Sequence, residues 1–311
     1  MGQWEPVYLE TQRRGLLKAK IQAASDILNQ CNLCPRNCLV DRHHGERGLC
    51  RTGDQPIVSS FSPHFGEEDP LVGRHGSGTI FFTHCNLYCI FCQNWEISHG
   101  GEGEEISVPD LSAMMLILQK RGCHNINFVT PSHQVAQILE ALPLAIEGGL
   151  RVPLVYNTGG YDAVETLRLL DGVIDIYMPD FKFWDPKVAA QLSEAEDYPE
   201  VARQALKEMH RQVGDLVLDD DGVARRGLLV RHLVLPDGLA GTKEVMEFLA
   251  QEISPNTYVN VMGQYRPCGR ADEHPSLRKF LTGLEHAQAQ QLARQAGLTR
   301  LDHREKLFRW L

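Results

Sequence analysis

The chain has 311 residues, 43% of them hydrophobic and 23% charged, with a formal net charge of −9. That length suits one large α/β domain, or one domain with an appendage. The acidic balance, spread along the chain without a basic stripe, argues against a nucleic-acid partner, and the lack of any run of about eighteen apolar residues argues against a membrane span.

The opening MGQWEPVYLETQRRG has no apolar stretch of the kind a secretory signal needs. Pro6 stands where a myristoylation signal wants Ser or Thr, so the expected compartment is the cytoplasm. Residues 10–29 carry Leu16, Leu17, Ile21, Ala24, Ile27 and Leu28 at spacings of three and four, which predicts a helix. From 31 to 78 the chain becomes rich in Cys, Gly, Pro, His and Arg with little periodicity, as expected of a segment organised by something other than an apolar core. Strands are then predicted at 79–82, 126–129, 152–156, 173–178, 228–235 and 257–262. Helices are predicted between and after them, at 110–121, 133–147, 161–171, 185–212, 242–253 and 276–296. Asp110, Ser132 and Pro275-Ser276 read as helix starts and Gly148-Gly149 as a stop. The acidic run Asp219-Asp220-Asp221 before Gly222 reads as a solvated turn.

Strand–helix alternation with Val/Ile-rich strands implies a parallel sheet with helices outside. Six units fall short of the eight of a closed barrel, leaving an open sheet or a partial barrel. In either, ligands sit at the C-terminal ends of the strands. Those ends read FFTHCNLYCIFC, FVTPSH, VYNTGG, YMPDFK, VLPDG and VMGQYRPCG. The run Asn157-Thr158-Gly159-Gly160 suggests backbone that approaches a ligand closely.

Nine cysteines without a signal peptide point to a reducing compartment and to metal rather than disulfides. Seven fall in two groups: Cys31, Cys34, Cys38 and Cys50, then Cys85, Cys89 and Cys92. Thiolates suit zinc or iron–sulfur. A structural zinc closes four ligands, and a [4Fe–4S] cluster normally takes four cysteines. Three in a tight loop leave one position open for substrate or cofactor.

The spacing Cys85-x3-Cys89-x2-Cys92 after the first predicted strand, with Phe91 before the last cysteine, resembles the radical S-adenosylmethionine (radical SAM) superfamily. GSGTIFFTHCNLYCIFCQNWEIS (76–98) is similar to its branch related to pyruvate formate-lyase activating enzyme, and the resemblance covers roughly residues 57–270. It implies a partial (β/α)6 TIM-like barrel over 77–311 with a C-terminal helix, preceded by a helix and a Cys-rich segment over 1–76. It also implies an activating-enzyme-like oxidoreductase with a [4Fe–4S] cluster on Cys85, Cys89 and Cys92, whose open iron binds S-adenosylmethionine. Reductive cleavage of that cofactor would start hydrogen abstraction, with electrons from a flavodoxin or ferredoxin.

The resemblance assigns Asn157, Thr158 and Gly159, then Asp180 and Lys182, then Arg231, to the ribose and carboxylate of S-adenosylmethionine. Asp180 can accept both ribose hydroxyl protons, while Lys182 and Arg231 can pair a carboxylate. Alternatively Asp180 and Lys182 pair with each other at a barrel rim. Two departures stand out. Where the family has a Gly-Gly-Glu-like motif for the methionine amino group, this chain has FVTPSH, leaving Thr130, Ser132 or a backbone carbonyl for that task. Short activases also lack an early segment like Cys31-x2-Cys34-x3-Cys38-x11-Cys50. Its four thiolates could hold structural zinc or mononuclear iron, hold an auxiliary electron-transfer cluster, or merely pack.

His64, Glu67 and Glu68 could line the site or form a polar loop. Cys268 reads as a radical relay or a packing residue, Cys123 as structural, and Tyr265 and Arg266 as substrate-side by position. The substrate is left between a glycine of a partner protein and a small metabolite or other macromolecule. A non-catalytic zinc scaffold is the alternative from another class, and it leaves Asp180, Lys182 and Arg231 at strand ends unexplained.

Overall fold

The computed structural model describes residues 4–302; the Met-Gly start and the chain beyond 302 lie outside the described residues. The strands are β1 (Ile57–His64), β2 (Ser77–Phe82), β3 (Glu104–Glu105), β4 (Ile126–Val129), β5 (Leu154–Thr158), β6 (Ile176–Pro179), β7 (Val217–Leu218), β8 (Ala224–Leu233) and β9 (Tyr258–Met262). Strands β2, β4, β5, β6, β8 and β9 run parallel in that order. Strand β1 pairs antiparallel with both β2 and β3, and β7 forms a short antiparallel pair with β8. Strands β2 and β9 are not joined. This is the expected α/β partial barrel, with six parallel strands and an unclosed side.

All six predicted strands are present, β4 with the predicted bounds and the other five with at least one end shifted. Strand β5 begins only after Pro153, whose nitrogen cannot donate to a ladder. Strand β8 reaches back to Ala224 because the Asp219–Gly222 turn folds β7 against it. The Asp219 carboxylate accepts from the backbone of Asp221 and Val223 and from Arg225, so the acidic run is a turn as read. Strand β1 arises within the segment read as unpatterned; its residues IVSSFSPH gain strand geometry from pairing along β2.

The helices follow the expected order but break where the backbone demands. Residues 10–29 form two helices, Val7–Arg13 and Leu16–Ile27, separated at Gly15, whose φ of 70° favours glycine. The 185–212 helix is also two, Pro186–Ser193 and Tyr198–Val213, divided at Glu194 in the left-handed region. Asp110 is not an N-cap. Ser107 caps the helix Val108–Lys120, and Asp110 returns the bond to the cap backbone. Ser132 is not a cap either, since the helix Val135–Glu147 starts after Gln134. The final helix starts at Gly283 behind a Thr282/Glu285 capping box, while Pro275-Ser276 opens a single 3₁₀ turn.

Val135–Glu147 packs a broad apolar face, including Val135, Ile138, Leu139 and Leu142, into the core. Each such side chain contributes about 1.5–3 kcal/mol on burial. Leu17 and Ala24 of Leu16–Ile27 are buried in the same core, which ties the N-terminal helices to the barrel's outside. Among the described residues no helix is long and apolar enough to cross a membrane.

Candidate cofactor cleft

The C-terminal ends of β2, β4, β5, β6, β8 and β9 open onto one cleft of about 250 Å³. Cys85, Cys89 and Cys92 line one part of it. Thr130, Asn157, Thr158, Gly159, Asp180, Lys182 and Arg231 line another. Ten residues chosen from five separate stretches of sequence thus share one space.

The cysteine loop is shaped by its own backbone. His84 turns through a φ of 67° just after β2. The Leu87 amide donates to Cys85 Sγ at 3.3 Å, and Ser98 Oγ donates to Cys92 Sγ at 3.1 Å. Tyr88 and Ile90 donate their amides to Ser193 and Leu192, anchoring the loop on the end of Pro186–Ser193. Phe91 is buried edge-on against Phe183 and Tyr265, which accounts for an aromatic at that position. Burial pushes the Cys85 and Cys89 thiols up to about 12 despite Lys182 nearby. As free thiols they are protonated at neutral pH, so a metal held here must displace protons.

The polar part of the wall is a charged knot. Arg231 Nε donates to Asp180 Oδ1 at 2.8 Å and its Nη2 to Asn157 Oδ1 at 2.7 Å. Lys182 Nζ is paired with Asp180 Oδ2. Burial works against the Asp180 carboxylate, but Arg231 and Lys182 outweigh it and hold its pKa below the usual value. The rim pairing weighed from the sequence is therefore present, inside the cleft wall. Glu67 and Glu68 are not part of that wall. Glu67 Oε2 stands 3.6 Å from Arg231 Nη1, and Glu68 accepts from Asn260; both steady Arg231 from behind. His64 pairs with Glu67.

FVTPSH divides sharply. Thr130 faces the cleft with φ at 59°, a left-handed conformation that favours glycine and costs a threonine about 1–3 kcal/mol. Ser132 instead hydrogen-bonds Thr158 Oγ1 at 3.0 Å. His133 is buried against the Thr83 carbonyl, and desolvation lowers its pKa to about 3, so it is neutral.

Sequence reasoning missed Tyr198. Its hydroxyl lies 2.9 Å from the Gly159 carbonyl and 3.0 Å from that of Asp180, and it accepts from the Lys182 amide at 2.8 Å. One phenol ties two strand ends together. Tyr265 is not substrate-side: its hydroxyl donates to the Leu277 carbonyl and the ring is buried. Arg266 and Cys268 do not line the cleft, and Cys123 is buried as a packing residue.

Cys31, Cys34, Cys38 and Cys50 line a second, much smaller cavity of about 10 Å³, together with Arg36, Arg42 and His133. Among the described residues, no three or more His, Cys, Asp or Glu side chains converge on a single metal ion. The Asp180–Lys182–Arg231 knot beside the three-thiol loop suits a zwitterionic, hydroxyl-bearing cofactor.

An uncharacterized protein of Methanocaldococcus jannaschii is 34% identical over 299 residues, which cover 93% of this chain and 82% of that protein. Among solved structures, HydG, a maturase of the [FeFe]-hydrogenase, superposes with a TM-score of 0.50 at 12% identity, over 70% of this chain and 49% of its own. A radical SAM methyltransferase from Sphaerobacter thermophilus gives a TM-score of 0.48 at 14% identity, over 71% of this chain and 64% of its own. The chain thus spans about half of the first structure and just under two thirds of the second, and likeness at such identity concerns the fold. The model of the radical SAM superfamily matches residues 79–219, from β2 and the cysteine loop through β7. Residues 79–219 of this chain are thus a radical SAM domain, of the superfamily whose enzymes work with a [4Fe–4S] cluster and S-adenosylmethionine.

Proposed function

We propose that Cys85, Cys89 and Cys92 each ligate one iron of the [4Fe–4S] cluster, and that S-adenosylmethionine takes the fourth iron from the Asp180 side of the cleft. The observation that supports this reading is the shared cleft itself, with three thiols beside a carboxylate and two cations. When bound, the cluster and S-adenosylmethionine supply one-electron cleavage to the 5′-deoxyadenosyl radical, and thereby hydrogen abstraction.

The chain's residues would hold and orient. Each carboxylate oxygen of Asp180 carries two lone pairs, and the knot uses one on each. Asp180 can therefore accept from two ribose hydroxyls without releasing Lys182 or Arg231. Lys182 and Arg231 have N–H donors beyond those given to Asp180 and Asn157, which suit the methionine carboxylate. Gly159 lets the backbone approach the cofactor closely, and Thr130 presents a strained backbone where the amino group is expected. Phe81, Phe82, Leu87 and Phe91 form the apolar part of the wall and exclude water.

For the substrate we favour a protein glycine, as in the activating-enzyme branch that residues 76–98 resemble. Between β2 and β9 the parallel strands do not pair; β1 covers the β2 edge there and Glu68 accepts from Asn260 of β9. A flavodoxin or ferredoxin would supply the electron. Nine free cysteines suit the reducing cytoplasm.

The test is anaerobic reconstitution with iron and sulfide, reduction with dithionite, and assay for 5′-deoxyadenosine after adding S-adenosylmethionine. Wild type should form it and Cys85→Ala/Cys89→Ala/Cys92→Ala should not. A fully loaded wild type that forms none overturns the reading. A protein substrate predicts that a dialysed extract stimulates product formation; stimulation only by the dialysable fraction points to a small metabolite.

A further inference from the structure

One side-chain hydroxyl with no task in the chemistry above reaches the three-thiol loop. Ser98 Oγ donates to Cys92 Sγ at 3.1 Å. Unlike the Leu87 amide at Cys85, this donor is a side chain that a substitution can remove. The short helical turn Trp95–Ser98 carries it. The Ser98 and His99 amides close that turn on the Asn94 and Trp95 carbonyls, both at 2.8 Å, and the His84 amide, just ahead of Cys85, donates to the Ile97 carbonyl.

His99 is fixed behind Ser98. Its ring stacks on Trp95 with centroids 3.8 Å apart and 8° between planes, and Tyr88 meets it edge-on. Trp95 is covered in turn by the chain after β9. At Gly269, where φ is 55°, a Cβ would lie 2.4 Å from the indole, so glycine lets the backbone pass that close. The Arg270 guanidinium stands 5.7 Å from the centre of the same ring. Held in this way, His99 Nδ1 lies 2.8 Å from Ser98 Oγ.

Proton accounting gives each bond its direction. A serine hydroxyl has one proton to donate and two lone pairs. A metal-bound thiolate accepts only, so the Ser98 proton goes to Cys92 Sγ and the Ser98 oxygen accepts from His99 Nδ1–H. That leaves the lone pair of a neutral imidazole on Nε2, which has no hydrogen-bond partner among the described residues. The opposite tautomer would draw the Ser98 proton to Nδ1 and away from the sulfur. The clamped ring therefore aims the hydroxyl.

A donor aimed at a cluster thiolate favours the state with more negative charge. We propose that Ser98, oriented by His99 and Trp95, is a positioning residue that raises the reduction potential of the cluster held by Cys92. This rests on the reading that Cys92 ligates iron. Reduction adds one electron, taken from a reductant such as dithionite, and breaks no bond at Ser98; the O–H···S contact strengthens as charge arrives on the sulfur. The hydroxyl thus eases the electron transfer that S-adenosylmethionine cleavage requires.

The experiment uses full-length wild type, Ser98→Ala, Ser98→Thr and His99→Phe, reconstituted anaerobically without S-adenosylmethionine. The EPR signal that Cys85→Ala/Cys89→Ala/Cys92→Ala lacks is titrated against applied potential. Ser98→Ala should disfavour reduction about tenfold, a fall in midpoint of about 59 mV for one electron. Ser98→Thr keeps the hydroxyl and should titrate with wild type. His99→Phe keeps a stacking ring without the Nδ1 donor and should fall by less than Ser98→Ala. An unchanged or raised midpoint in Ser98→Ala overturns the proposal; so does Ser98→Thr falling with it, or His99→Phe matching wild type. If Ser98→Ala does not load, His99→Phe decides, a lowered midpoint supporting the proposal and an unchanged one refuting it. A wild type that takes up no iron–sulfur cluster, or holds no more iron than the triple-cysteine variant, overturns the underlying reading as well. A loaded wild type with no shift in the variants overturns this proposal alone.

Discussion

Asp180→Asn tests the charged knot without any cofactor present. The substitution keeps the shape and removes the charge that two cations share. Lys182 and Arg231 have side chains only 19% and 17% exposed, so neither can turn wholly to water. Breaking a fully buried pair costs about 3–5 kcal/mol. Glu67 near Arg231 and the residual exposure reduce that here to about 2–4 kcal/mol, equivalent to a fall in Tm of about 3–6 °C for a chain this long. The pH dependence gives the mechanism away. The folded Asp180 has a pKa below its unfolded value of about 3.9, so its contribution is complete above that value and is lost as pH falls through the folded one. Thermal unfolding followed by circular dichroism should show a constant gap between wild type and variant from about pH 5 to 8, closing in more acid solution. A gap under about 1 °C, or one unchanged far below pH 4, would refute the reasoning.

Tyr198→Phe should cost about 1–3 kcal/mol by stranding buried backbone groups; as a positioning residue, Tyr198 should also show its loss in a raised KM for S-adenosylmethionine at unchanged iron content. Gly160→Ala places a Cβ against the Asp180 carbonyl at a φ of 79°, so a loss of about 2–4 kcal/mol and weaker cofactor binding by calorimetry are expected. Burial raises Asp175 to about 7 against the bonds it accepts from Leu154 and Val7. The folded state therefore holds that proton more tightly, and this stabilisation is full below about pH 4 and lost as pH rises towards 7. In Asp175→Asn that part of the slope should vanish, so its Tm gap to wild type should narrow between those values; a gap constant with pH would exclude Asp175 as the source.

What could be read from the sequence was what local chemistry determines. A strand such as Ile126–Val129 is buried on both faces, so Ile126, Phe128 and Val129 are apolar whatever their neighbours, and the run declares itself despite the buried Asn127. The three-cysteine loop is equally local; the rule that ligands gather at strand C-termini drew attention to the ends that carry Asn157, Asp180 and Lys182, while their roles and the choice of Arg231, inside a strand, came from the family resemblance. Strand β1 escaped because Ser59, Ser60 and Pro63 carry no strand signal, and its geometry comes from β2. Tyr198 escaped for a related reason: it sits on a helix facing the core, and only the packed fold brings its hydroxyl back to Gly159 and Asp180. Arg42 is the same case, a charged residue in a Cys-rich stretch that reads as surface until the fold buries it beside Cys31. The residues proposed to bind are thus largely legible, because motif, strand end and family resemblance point to them. Those that position the binders depend on contacts between distant segments, and near both cysteine groups these are buried hydrogen-bonding side chains with polar partners far away in the chain.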